Sequence, residues 1–126
     1  MGFFGFGKKS GASSGIDWIQ LRSAEELDDF IKKESFNKPV ILFKHSTSCA
    51  ISSMAMSRLE NYWDIDGEMA VPVYLDLLRH RDISNKIAAD LGVIHESPQI
   101  LIVKDGECVY QASHSQISVA DIKRNL

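Results

Sequence analysis

The 126-residue chain predicts an α/β fold, a central mixed β-sheet flanked by helices on both faces. Three observations carry this. Short apolar runs alternate with segments of helical period, in the order β-α-β-α-β-α-β-β-α. One run, Val40, Ile41, Leu42 and Phe43, is apolar at consecutive positions, as a strand covered on both faces must be. Asp105-Gly106 signals a hairpin, so the last two strands run antiparallel, whereas helices separate the earlier ones.

Residues 16–21, IDWIQL, read as a short first strand. Ser23 opens S-x-x-E with Glu26, a capping box, and Leu27, Phe30 and Ile31 form the apolar stripe of the helix it starts. Asn37-Lys38-Pro39 turns the chain into the central strand, with Pro39 at the entry where its missing N–H does least harm. The turn formers His45, Ser46, Thr47 and Ser48 follow. From Cys49 onward Ile51, Met54, Ala55, Leu59 and Tyr62 recur at helical spacing, which predicts a helix ending near Tyr62 or Trp63.

After the loop 64–68, residues 69–77 (MAVPVYLDL) read as a strand. Pro72 inside it predicts an edge position or an irregular start. The polar Arg79, His80, Arg81 and Asp82 lead into a short helix on Ile83, Ile87 and Leu91, stopped by Gly92. Ser97-Pro98 precedes a strand over 99–103, and 107–112 returns from the Asp-Gly turn. Ser118 caps a last helix with Asp121 at its third position, carrying Val119 and Ile122.

Length and composition bound the rest. The chain suffices for one domain, expected over 16–126, behind a flexible glycine-, serine- and phenylalanine-rich arm over 1–15. Hydrophobic residues make up 44% and charged residues 25%, ordinary for a soluble globular protein. A net charge of -3 is too mild for a nucleic-acid binder, and no apolar run is long enough to cross a bilayer. Phe3, Phe4 and Phe6 are interrupted by glycine and precede the lysines, so no secretory leader is expected and a cytoplasmic location is the default. Two lysines are too few for an electrostatic membrane anchor.

Cys49 and Cys108 are the two cysteines, too few for a disulfide scaffold. In a reducing compartment each is explained by reactivity or by burial. Cys49 falls at or just before a helix N-terminus, where unpaired N–H groups and the helix dipole favour the thiolate, the nucleophile of disulfide exchange. The alternative is a small buried hydrophobe; the polar Ser46, Thr47 and Ser48 before it and Ser52 and Ser53 after it argue against that. Ser52, three residues on, shares a helix face with Cys49. Its hydroxyl either bonds the thiolate or is an ordinary exposed serine of the first turn. Cys108 follows the turn in an alternating strand and reads as a packed strand residue. As a resolving thiol it would need its Cα within roughly 7 Å of that of Cys49, which the hairpin is badly placed to provide. Lys44, His45, Arg79 and Arg81 stand at carboxyl ends of strands, where open α/β sheets bind ligands. Each is also readable as a solvated surface charge. His80, His95 and His114 show no metal-like spacing.

With these residues placed, the chain resembles thioredoxin-fold proteins, and more narrowly the monothiol bacilliredoxins, the YtxJ-like family. Three features carry the resemblance: Thr47-Ser48-Cys49-Ala50-Ile51-Ser52, with serine where a dithiol enzyme has its second cysteine; Ser97-Pro98 before the hairpin; and the element order from Ile16 onward. The opening FFGFGKK also looks like that family's start. The family motif commonly has proline after the cysteine, where this chain has Ala50, which leaves an N–H near the sulfur.

The resemblance implies a thioredoxin-like fold and a monothiol thiol-disulfide oxidoreductase that removes bacillithiol from protein mixed disulfides. It implies Cys49 and Ser52 as catalytic residues, and Ser48, Ser97, Pro98, Lys44 and Arg81 as substrate-binding ones. Pro98 is expected to be cis and Ser97 to present its backbone to an extended substrate chain. The positive residues would hold the carboxylates of bacillithiol, a co-substrate rather than a bound cofactor. No metal is implied. The expected partners are bacillithiolated client proteins, with no nucleic acid and no membrane, and a monomer is expected. Two other readings stay open: a monothiol glutaredoxin-like protein using glutathione or holding an iron-sulfur cluster, and a non-catalytic binding module or redox sensor on the same fold.

Overall fold

The computed structural model describes residues 16–126, so the arm expected over 1–15 lies outside the described residues. Five strands and four helices follow one another in the predicted order: β1 (Ile19–Gln20), α1 (Ala24–Lys32), β2 (Val40–His45), α2 (Ala50–Tyr62), β3 (Val71–Asp76), α3 (Arg81–Leu91), β4 (Gln99–Lys104), β5 (Glu107–Ser113) and α4 (Val119–Arg124). The sheet is mixed, in the spatial order β1-β3-β2-β4-β5. β3 pairs parallel with both β1 and β2, while β4 is antiparallel to β2 and to β5.

Strand β2 lies at the middle of the sheet and all six of its residues are buried. Its alternate side chains serve two cores. Ile41 and Phe43 join Ala55 and Leu59 of α2 and Val119 and Ile122 of α4. Val40 and Leu42 join Leu27 and Ile31 of α1 and Ile83 and Ile87 of α3. One sheet face therefore carries α2 and α4, and the other carries α1 and α3. Burying each such side chain is worth roughly 1.5–3 kcal/mol, so β2 anchors both layers.

Local chemistry sets the helix ends. The Ser23 hydroxyl accepts from the Glu26 N–H at the start of α1, and the Glu26 carboxylate accepts from the Arg22 N–H. Gly92 closes α3 at φ 67°, the left-handed conformation that glycine adopts without steric cost. Ser118 caps α4 through the Asp121 N–H.

Two expectations change in detail. The first strand shrinks from six residues to two, because pairing with β3 is limited to Ile19 with Val73 and Gln20 with Tyr74. Trp18 instead turns into the core and stacks on Phe43, with ring centroids 5.6 Å apart. β3 is also not an edge strand. The Val71 N–H donates to the Pro39 carbonyl on the β2 side, so alternation turns the Pro72 nitrogen toward β1. There β1 has not yet begun its pairing, and no ladder bond is lost.

Candidate functional site

The turn between β2 and α2 is built on the backbone of one residue, Ser46. The Ser46 N–H donates to the Ser52 hydroxyl at 2.9 Å, and the Ser46 carbonyl accepts from the Cys49 N–H at 3.2 Å. This closes residues 46–49 against the first turn of α2. Cys49 is the N-cap residue of that helix, in extended conformation, with its carbonyl accepting the Ser53 N–H at 3.0 Å. Its side chain makes no capping bond and is half-buried. The first turn of α2 contains no acidic residue, so no carboxylate there opposes a negative sulfur. Ser48 and Ala50, on either side, are exposed.

Ser52 is fully buried, which corrects the reading of it as an exposed serine of the first turn. The hydrogen bond to the Cys49 sulfur that its spacing invites is also not formed. Its hydroxyl accepts from Ser46 and lies 2.7 Å from Nδ1 of His45. His45 is the last residue of β2 and is buried too, between the rings of Phe43 and Tyr74. It stands opposite Asp76 in the β2–β3 register. Burial pushes its pKa down, and the Asp76 carboxylate partly opposes this. Burial, with help from Asp76, pushes the Tyr74 phenol up to about 12.

Ser97-Pro98 reaches the same end of the sheet. Lys44 with Gln99 is the last pair of the β2–β4 ladder, so Pro98 continues alongside His45, just short of the turn that carries Cys49. The Ser97-Pro98 bond is cis, and Pro98 is buried with its carbonyl accepting the His114 N–H at 3.1 Å. Ser97 is half-buried, and its hydroxyl oxygen is closed to solvent without a partner. Among the described residues, none hydrogen-bonds its backbone.

Not all of the positive residues lie open at this end of the sheet. Lys44, read from the sequence as a ligand-binding or solvated charge, is buried on the opposite sheet face under α3, where solvent does not reach it. Its ammonium lies 3.1 Å from Nδ1 of His95, which in turn lies 3.2 Å from the Ser84 hydroxyl. Burial lowers the Lys44 pKa to about 8. Burial and then the charges of Lys44 and Arg81 lower that of His95, with Glu96 opposing. Arg79 and Arg81 are exposed, and Arg81 is the first residue of α3.

Cys108 is far from this site. It pairs with Val103 near the hairpin, at the end of the sheet where β2 begins, and packs in the α1/α3 core. Cys49 follows the other end of β2, whose six residues span roughly 17 Å, far beyond the separation a disulfide bridges. The Cys108 thiol donates to the Tyr110 carbonyl at 3.4 Å, and burial pushes its pKa up. A cavity of about 380 Å³, lined by Arg58, Tyr62, Val119 and Lys123 among others, lies at the far end of α2, roughly 20 Å along the helix from Cys49. Among the described residues, no three metal-ligating side chains cluster, and no helix is long and apolar enough to cross a membrane.

Sequence reasoning missed the pairing of His45 with Ser52 and the place of Asp76 beside it. One signal was available. Asp76 is the single acid in the apolar run 71–77, and an acid inside a strand needs a partner or a neighbouring charge.

A family model described as monothiol bacilliredoxin BrxC matches residues 19–122. Among solved structures, one described as a candidate oxidoreductase with a thioredoxin fold is 32% identical, with a TM-score of 0.72 over 85% of this chain and 91% of its own. Thioredoxin from Malassezia sympodialis is 17% identical, with a TM-score of 0.62 over 83% of this chain and 84% of its own. Thioredoxin from Fasciola hepatica is 15% identical, with a TM-score of 0.63 over 83% of this chain and 92% of its own. The two thioredoxins share its fold.

Proposed function

The chain belongs to the monothiol bacilliredoxin family, with the thioredoxin fold, and on that premise we propose that Cys49 removes bacillithiol from protein mixed disulfides. It is a thiol-disulfide oxidoreductase. The observation that supports a monothiol course is the position of Cys108, at the other end of the sheet from Cys49 and in the opposite core. With Ser52 at the fourth position of the motif and no second thiol in reach, the intermediate is resolved from outside.

The Cys49 thiolate attacks the bacillithiol sulfur of the mixed disulfide. A sulfur–sulfur bond forms to Cys49, the old bond breaks, and the client cysteine leaves as a thiolate with the electron pair. A second small thiol, or a reductase, then attacks the adduct and releases Cys49 as thiolate. The reverse direction, loading bacillithiol onto a client under oxidation, uses the same step. In this reading Ser97, with its backbone unengaged, pairs with the extended client chain beside Pro98. Exposed Ser48 borders the thiol, and Arg81, with Arg79 near it in the chain, remains a candidate for the carboxylates of bacillithiol now that Lys44 is buried. Bacillithiol acts as co-substrate, the bacillithiolated clients are the partners, and a monomer working in the reducing cytoplasm completes the reading.

The test is turnover on one client carrying either bacillithiol or glutathione. Faster release of bacillithiol, lost in Cys49→Ser, is the expected result. Faster release of glutathione would transfer the assignment to a glutaredoxin-like activity. A single reaction without recycling by excess thiol would replace an enzyme with a sensor.

A further inference from the structure

Between Val93 and Pro98 the chain is irregular, and among the described residues it is side chains, not backbone groups, that hold it. Fully buried Gln99 fixes the backbone on either side of His95. Its Nε2 donates to the Ile94 carbonyl at 3.1 Å, and its Oε1 accepts from the Glu96 N–H at 3.3 Å. The His95 ring supplies a third hold: Nδ1 faces the Lys44 ammonium at 3.1 Å and the Ser84 hydroxyl at 3.2 Å. An ammonium can only donate, so Nδ1 is bare and the ring proton sits on Nε2. Among the described residues, this nitrogen is the only hydrogen-bond partner of the Lys44 ammonium. Lys44 and Ser84 are fully buried, whereas the ring reaches solvent. One end of the contact is therefore fixed in the core, and the other is free to move.

We propose that His95 is a positioning residue for client binding: with Nδ1 bare its ring clasps residues 94–97 to Lys44, and a proton on Nδ1 opens the clasp and displaces Ser97. This rests on the reading of Ser97 as the residue that pairs with the extended client chain. A protonated Nδ1 cannot accept from an ammonium, and it sets an imidazolium against a buried cation. Ser84 can take the new N–H, but Lys44 is then left without an acceptor. The exposed ring is the partner that yields. The charged groups facing it are Lys44 from β2, Arg81 from α3 and Glu96 on its own segment; β4 contributes the uncharged Gln99. Burial first, then Lys44 and Arg81, lower the His95 pKa, and Glu96 opposes them. The clasp therefore holds at neutral pH and opens as pH falls below the ordinary 6.5 of histidine. On the alkaline side it survives, because a neutral Lys44 amine still has hydrogens to donate.

The test uses the full chain and two bacillithiol mixed disulfides, one with a cysteine-containing peptide and one with free cysteine, which has no chain for Ser97 to pair. The readout is kcat/KM on the peptide disulfide divided by kcat/KM on the free-cysteine disulfide, a ratio that cancels the titration of Cys49 itself. In the unaltered chain the ratio should fall about tenfold between about pH 7.5 and about pH 5.5, through KM and not kcat. His95→Ala should hold it at the low value throughout. His95→Asn, which keeps an acceptor near the place of Nδ1 and does not titrate, should hold it at the high value. A ratio flat with pH in the unaltered chain, one that falls alike in all three chains, or one indifferent to His95→Ala overturns the proposal. The second readout needs neither a variant nor turnover. Protection of the Glu96 N–H against hydrogen exchange should drop with the midpoint of the His95 ring nitrogens, which should report a bare Nδ1 at neutral pH. Protection that ignores that midpoint, or a proton on Nδ1 at neutral pH, overturns the clasp. Coupled protection without turnover of either disulfide supports the clasp and sinks instead the assignment of Cys49 as the thiol that releases bacillithiol.

Discussion

The ammonium of Lys44 and Nδ1 of His95 stand 3.1 Å apart, and they join the core to the surface: Lys44 is fully buried, while His95 is exposed. Burial holds the Lys44 pKa at about 8, against an ordinary 10.5. Between those values the folded chain has released a proton that the unfolded chain still holds, so stability rises with pH. Tyr74 acts in the opposite sense. Its phenol keeps its proton to about 12 when folded but ionises near 10.0 when unfolded, so stability falls above that. Urea unfolding should therefore show stability climbing from pH 8 toward 10 and then declining. Lys44→Met should flatten the climb and raise stability at pH 7 by about 1–3 kcal/mol, since a charge no longer has to be buried. Destabilisation of the Met variant at pH 7 would count against this account.

Cys108 is predicted to be dispensable. Cys108→Ser keeps a donor for the Tyr110 carbonyl and should turn over bacillithiolated client within about twofold of the unaltered chain. Cys49→Ser should show no turnover. A large loss in Cys108→Ser would mean that the hairpin thiol takes part in resolution.

Ser35 ties the end of α1 to the β4–β5 turn. Its hydroxyl donates to the Ile31 carbonyl and accepts from the Gly106 N–H at 2.9 Å, and its carbonyl accepts from the Asp105 N–H at 2.9 Å. Ser35→Ala leaves the Gly106 N–H without its partner and should cost about 1–3 kcal/mol by chemical denaturation. A neutral result would show that water replaces the hydroxyl.

Gly92 and Gly106 both have positive φ, 67° and 82°, but different surroundings. An alanine at 92 meets open space and should cost about 1–2 kcal/mol for its backbone alone. At 106 the added carbon would lie 3.2 Å from the Phe36 ring, so Gly106→Ala should lower the melting temperature further. Equal losses would mean that the exposed Phe36 ring swings aside freely.

The fold was legible because β2 and α2 differ so sharply in period, and because Gly92, Ser118 and Asp105-Gly106 mark ends by local chemistry. The side on which a strand-end residue falls was not. Lys44 follows Val40 and Leu42 by alternation and so faces α3, but whether α3 and the chain near His95 cover it depends on tertiary packing. Ser52 shows the same limit. Helical spacing puts it on the face of Cys49, yet the side chain is claimed by His45, seven residues earlier and across the turn. Trp18 was read as part of a strand, and its place in a stack with Phe43, Trp63 and Tyr74 depends on residues far apart in the chain.

The central place of β2 also governs the order in which the molecule can assemble. Val40 pairs with Val71 on one side and with Val103 on the other. During synthesis this fully buried strand thus emerges early, gains its first neighbour midway and its second only near the end. Until β4 leaves the ribosome, one flank of β2 is an open, hydrophobic edge, and it is in that interval that a nascent chain is most exposed to capture by another.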